Sequence, residues 1–181
     1  MANSEIAILG GGCFWCLEAV FDRVKGVQAV ESGYMGGTVD KPTYQQVCDG
    51  DTGHAEIVRI AFDPKEISFP ELLEVFFTIH DPTTLNRQGN DVGTQYRSVI
   101  FYTSDAQRQA AQRAIAELNA SRTLPGPVVT AVEPAGTFFM AEAYHQEYYV
   151  NNSNQSYCRF VVEPKIDKFM KHFAERVSQR A

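Results

Sequence analysis

The sequence predicts an α+β protein: a two-layer sandwich with a ferredoxin-like core, a mixed or antiparallel sheet and extra C-terminal helices. Three observations carry this expectation. Segments of period two and segments of period 3.6 follow one another in the order β-α-β-β-α-β-α-β, with helices trailing. No repeat, low-complexity tract or evident linker interrupts the 181 residues, which reads as a single domain over 1–181 with 150–181 as a more mobile C-terminal extension. A content of 44% hydrophobic and 21% charged residues is enough to bury a substantial core. A parallel, doubly wound α/β sheet is the alternative.

Taken in order, residues 5–9 form a short buried strand that runs into three glycines, and 14–24 follow as a helix. Residues 27–32 are a strand, and 55–62 alternate cleanly as another. Ser68, with Glu71 three positions on, opens a helix as a capping box, and Phe69, Leu72, Leu73, Phe76 and Phe77 form its apolar face. Residues 97–102 are a strand. Ser104 and Gln107 open a long Ala/Gln-rich helix that stops near the breaker LPGP. A strand at 128–132, a helix at 141–149 and a C-terminal helix at 166–177 complete the chain. Two long loops, SGYMGGTVDKPTYQQVCDGDTGH and HDPTTLNRQGNDVGTQY, are candidate halves of a site, because long loops in compact domains are more often functional than idle.

A formal charge of −6 and the absence of a basic stripe argue against nucleic acid or an anionic membrane surface as the main partner. No apolar run is long enough to span a bilayer and the start lacks the pattern of a signal peptide, so a reducing cytoplasm is expected. Four dispersed cysteines read as reactive or incidental thiols rather than a disulfide scaffold.

The stretch GGCFWC holds the only tryptophan and two of the four cysteines. Phe14, Leu17, Val20, Phe21 and Val24 share one arc of the helix that follows it, the core face. Trp15 falls on the side of Glu18 and Asp22, as a pocket wall beside the Cys13 thiol. Cys13 sits at a helix N-terminus, where free N–H groups and the helix dipole favour a thiolate. Along HAEIVRIAF, Glu56 opens the apolar face that continues in Val58, Ile60 and Phe62, so its pKa should be raised toward that of a proton donor at neutral pH. Tyr44 and Tyr96, in the loops, are candidate phenolic donors.

These residues lie within longer motifs. GCFW at 12–15, GYMGG at 33–37, PTYQQVCDGDTGHAE at 42–56, QGNDVGTQYRS at 88–98 and AEAYHQEYY at 141–149 resemble, in order, the methionine sulfoxide reductase A family. The resemblance implies Cys13 as nucleophile, Glu56 as the acid near the sulfoxide oxygen, and Tyr44 and Tyr96 as hydrogen-bond donors to it. Phe14 and Trp15 are implied as walls around the S-methyl group, with Asp91 and His145 as supporting residues. It implies reduction of methionine S-sulfoxide, free or in oxidised proteins, with no bound cofactor and no metal. Thioredoxin or another dithiol would restore the enzyme. Cys158, in NNSNQSYCRF, matches a resolving cysteine of the family, and it is expected to form the first disulfide with Cys13. Cys16 stands where many members have glycine. It is one turn from Cys13, and could bridge to it if the Cys13 backbone takes an N-cap conformation. The role of Cys48 is open. A monomer is the default.

Three other classes compete. A thioredoxin-like thiol-disulfide oxidoreductase using Cys13 and Cys16 leaves Glu56 and both loops unexplained. A zinc module needs four convergent ligands, and Cys48 and Cys158 form no second CxxC. A Cys/His hydrolase would use Cys13 and His145.

Overall fold

The computed structural model describes residues 4–178. Its main sheet has the strand order β7-β6-β1-β3-β2-β8. The central four are β1 (Glu5–Gly10), β2 (Val27–Met35), β3 (Ala55–Phe62) and β6 (Val99–Tyr102), with neighbours among them antiparallel. Helix α1 (Phe14–Phe21) joins β1 to β2, and α3 (Phe69–Ile79) lies between β3 and β6. This is the split β-α-β pattern of a ferredoxin-like core. At one edge β7 (Ala131–Pro134) runs parallel to β6, and at the other β8 (Phe139–Met140) pairs with the end of β2, so the sheet is mixed. The parallel doubly wound alternative is excluded.

The alternation along the strands sorts side chains to two faces. Ala7, Leu9, Val58, Ile60 and Phe62 join Phe14, Leu17, Val20 and Phe21 of α1 and the apolar face of α3 in the main core. Ile8, Ala55, Ile57, Val99 and Phe101 form a smaller cluster on the other face. Helix α3 begins as its capping box predicts: Ser68 Oγ accepts from the Glu71 N–H at 3.2 Å, and Glu71 Oε1 accepts from the Ser68 N–H at 3.1 Å. The long helix α4 (Asp105–Ser121) is capped by Ser104 and ends on Arg122 in the left-handed conformation.

Several boundaries differ from the sequence expectation. Helix α1 stops at Phe21 rather than 24. The strand expected at 128–132 begins at Ala131, because the Val129 N–H is taken by the Pro82 carbonyl before pairing with β6 starts. Within 141–149 there is no continuous helix. A 3-10 turn (Ala143–His145) and a short α5 (Tyr148–Asn151) are separated by Glu147 at φ 54. The C-terminal helix is α6 (Glu163–His172), preceded by a π-helical turn (Cys158–Val162) and followed by a 3-10 turn (Ala174–Arg176). Cys158, Val162, Ile166 and Phe169 of this region pack into the main core.

The two long loops contain short elements. The first holds α2 (Tyr44–Cys48), a helix missed in the sequence although Thr43 and Gln46 make a capping box. The second folds into a two-stranded hairpin, β4 (Arg87–Gln88) and β5 (Asp91–Val92), and a 3-10 turn (Thr94–Tyr96).

Candidate active site

The end of β1 aims the thiol. Gly12, at φ +95, lies where a Cβ would come within 2.7 Å of the Gln88 side chain, so only glycine fits this turn. Cys13 then takes the N-cap position of α1 with an extended backbone (φ −65, ψ 130), and its carbonyl accepts from the Cys16 N–H at 3.1 Å. The sulfur is nearly enclosed, with Cys13 7% exposed. Burial pushes its pKa well up, and the neighbouring Glu56 and Cys16 add to this. The Trp15 backbone N–H and the Tyr157 hydroxyl oppose it by hydrogen-bonding to the sulfur. The expectation that the helix N-terminus alone would favour a thiolate is therefore corrected: loss of water outweighs the local donors.

Glu56 lies on the helix side of β3, fully buried. Its Oε1 accepts the Phe14 N–H at 3.1 Å, while Oε2 has no partner. Burial raises its pKa to about 8, with Asp91 adding to the shift and the Phe14 N–H opposing it. This shift favours the protonated carboxyl at neutral pH, and the unpartnered Oε2 is the oxygen free to hold the proton. Tyr44, on α2, and Tyr96, in the second loop, are half-buried. Both phenols are pushed far above their ordinary pKa, first by burial and then by Glu56, so both remain donors.

The aromatic wall is more elaborate than the sequence suggested. Phe14 is fully buried, with its ring 5.1 Å from His145 and 6.4 Å from Tyr44. The Trp15 indole N–H donates to His145 Nδ1 at 2.9 Å, and its ring stacks on Tyr148 at 3.7 Å. Burial lowers the His145 pKa, keeping the ring neutral. With Nδ1 accepting, its proton sits on the buried, unpartnered Nε2. Trp15 does share a side of α1 with Glu18, yet that side is not solvated: Glu18 is only 3% exposed beneath residues 142–148. Glu142 accepts from the Tyr34 hydroxyl at 2.9 Å and from the Tyr44 N–H at 2.8 Å, fixing α2 against the same segment.

Tyr157, which sequence reasoning passed over, links the two thiols of α1 to Asp91 and Trp15. Its hydroxyl donates to Asp91 Oδ2 at 2.7 Å and lies 4.0 Å from Cys16 Sγ, and its ring meets Trp15 edge-on at 5.6 Å. Adjacency to Cys158 was its only signal. A cleft of about 460 Å³, lined by Cys13, Cys16, Gln88, Asp91, Tyr157 and Phe160, opens on both leading thiols. A hollow of about 640 Å³ beside Lys25 and Glu66 holds none of these groups. All four cysteines are free thiols. Cys158 is fully buried and raises the Cys16 pKa, itself pushed up to about 11 chiefly by burial. Cys48 is half-buried on α2, hydrogen-bonded to Tyr44. Among the described residues, no three His, Cys, Asp or Glu side chains form a group that could hold a metal ion, and no helix is long and apolar enough to cross a membrane.

A thiol at a helix cap, backed by a protonated acid and phenols, defines a thiol-based redox site on a ferredoxin-like core. The comparisons with known proteins agree. The family model for peptide methionine sulfoxide reductase matches residues 5–177. The peptide methionine sulfoxide reductase MsrA of Chromobacterium violaceum is 56% identical over 94% of this chain and 97% of its own length; that of Deinococcus radiodurans is 53% identical over 97% and 85%. Among solved structures, reduced Mxr1 from Saccharomyces cerevisiae superposes with a TM-score of 0.79 at 36% identity, covering 87% of this chain and 90% of that one. Mxr1 has also been solved in complex with Trx2, with a TM-score of 0.55 at 27% identity over 81% and 86%. The chain belongs to the peptide methionine sulfoxide reductase family.

Proposed function

We propose that this protein reduces methionine S-sulfoxide, free and in oxidised proteins, with Cys13 as nucleophile and Glu56 as general acid. The observation that carries the reading is a fully buried carboxyl, Glu56, with one unpartnered oxygen close to a buried thiol. Attack of the Cys13 sulfur on the sulfoxide sulfur needs the oxygen to gain a proton as it leaves. Glu56 supplies that proton, and Tyr44 and Tyr96 donate hydrogen bonds to the same oxygen. Phe14 and Trp15 hold the methyl group, while His145 and Asp91 fix the wall and Tyr157. The substrate sulfur gains two electrons and becomes methionine, and Cys13 takes the oxygen as a sulfenic acid. A second thiol then condenses with it, releasing water and leaving a disulfide.

Cys16 is favoured here as that second thiol. The extended N-cap backbone of Cys13 is the conformation on which a one-turn bridge to Cys16 depends, and both thiols line the same cleft. Cys158, the partner expected from the family resemblance, lies packed in the core and close enough to Cys16 to raise its pKa, which suits it to a second exchange. A dithiol such as thioredoxin, the partner with which yeast Mxr1 was solved, would regenerate the thiols by exchange in a reducing cytoplasm. Peptide mapping after one equivalent of methionine S-sulfoxide tests the scheme. A Cys13–Cys16 disulfide supports it, and a first disulfide between Cys13 and Cys158 restores the order expected from the family.

A further inference from the structure

The reaction as described has no use for Glu18, yet it is a buried carboxylate one turn beyond Trp15. Its Oε1 accepts the Glu147 backbone N–H at 2.8 Å and the Ser32 hydroxyl at 3.4 Å, and its Oε2 has no partner. Burial lifts its pKa to about 7, with the charges of Asp22 and Glu147 adding to the shift against the Glu147 N–H and the Ser32 hydroxyl. A carboxylate in such a place costs free energy unless it performs a task an apolar side chain cannot.

The partner indicates the task. Glu147 sits at φ 54, a conformation that non-glycine residues adopt at a cost, and it separates the turn bearing His145 from the helix bearing Tyr148. The segment is fastened on either side of His145. Glu142 binds the Tyr34 hydroxyl and the Tyr44 N–H. The Gln146 amide binds both the N–H and the carbonyl of Ser32, each at 2.9 Å. The strained residue itself is tied to α1 by the Glu18 contact, while its carbonyl accepts the Asn151 N–H at 3.2 Å within its own helix. One turn of α1 thus presents both Trp15 and the group that holds its two partners, His145 at 2.9 Å and Tyr148 at 3.7 Å.

We propose that Glu18 is a positioning residue for sulfoxide binding, latching the Glu147 backbone so that His145 and Tyr148 are held against Trp15 as one rigid wall. The inference rests on the proposed function for its kinetic consequence, but its structural part is read without turnover, because Trp15 is the only tryptophan and reports alone in fluorescence excited on the red edge, where tyrosine does not absorb.

The test compares Glu18→Gln, whose amide oxygen still accepts the N–H, with Glu18→Asp, whose carboxylate is drawn back by one methylene. Glu18→Asp should raise acrylamide quenching of Trp15 at least ~2-fold and raise KM for methionine S-sulfoxide ~10-fold, with the saturated single-turnover rate within ~2-fold of wild type. Glu18→Gln should match wild type in all three. Wild-type quenching and KM in Glu18→Asp, a fall in the saturated rate at unchanged KM, or loss of the wall in Glu18→Gln would overturn the proposal. A variant too unstable to assay does not stop the test. In the wild type, hydrogen exchange at the Glu147 amide should be slowed ~10²-fold or more relative to an exposed amide, and exchange at the exposed rate would also overturn it. If wild type reduces no sulfoxide, the functional reading falls, while quenching and exchange still decide the role of Glu18.

Discussion

Glu56 and Trp15 carry the sharpest tests at the scale of single residues. Glu56→Gln keeps the acceptor for the Phe14 N–H but has no proton to give, so single-turnover methionine release should slow by ~10²- to 10⁴-fold. The same variant should change stability in a pH-dependent direction. The folded Glu56 carboxyl is raised from 4.5 to about 8, so the folded state binds more protons than the unfolded state between those values. Wild-type stability therefore falls as pH rises through that window, and Glu56→Gln removes the Glu56 share of the dependence while that of Glu18 remains. Thermal melts at pH 5 and pH 9 should show wild type losing ground to the variant at the higher value; equal shifts in both would mean that Glu56 is solvated. Trp15→Ala should raise KM about tenfold, which corresponds to losing ~1.4 kcal/mol of apolar contact with the methyl group. An unchanged KM with a lowered melting temperature would make Trp15 a core residue only.

At the scale of elements, the N-terminus of α1 decides how the oxidised thiol is resolved. Cys16→Ser should release one methionine per enzyme but lose most of its turnover with thioredoxin, because the cleft beside Cys13 then offers no second thiol. Cys158→Ser should form the first disulfide at the wild-type rate, since on the proposed scheme Cys16 resolves Cys13 and the buried Cys158 acts only afterwards. Rapid quench followed by peptide mapping distinguishes these outcomes. A first-disulfide rate lost in Cys158→Ser and kept in Cys16→Ser would assign the resolving role to the C-terminal segment. Such a result would require local opening of the packing around Val162 and Phe169, and would support the mobility expected for 150–181.

For the whole molecule, the sheet and its helices were legible because burial dictates periodicity. The alternation of residues 55–62 placed Glu56 with Val58, Ile60 and Phe62, the face that packs beneath α1. The capping box at Ser68 gave the start of α3 to the residue. What escaped was set by tertiary partners. Residues 141–149 have a helical pattern, yet Gln146 turns onto the Ser32 backbone and Glu147 is held left-handed by Glu18, so the pattern breaks in the middle. Tyr157 and Glu18 carried no periodic signal of function, because their roles come from contacts with Asp91, Cys16 and Glu147 far along the chain. The thiol pKa was misjudged for a related reason. A helix N-terminus is visible in sequence, but the enclosure that removes water from Cys13 is not.

The measurement that bears most directly on the account is a single turnover without reductant. Reduced enzyme is mixed with one equivalent of either methionine sulfoxide epimer, and methionine, free thiols and intact mass are followed. The S epimer should yield one methionine per enzyme, the loss of two of the four thiols and a mass decrease of one disulfide, with no retained oxygen, while the R epimer leaves enzyme and sulfoxide unchanged. Release of methionine from both epimers alike, or from neither, would contradict it.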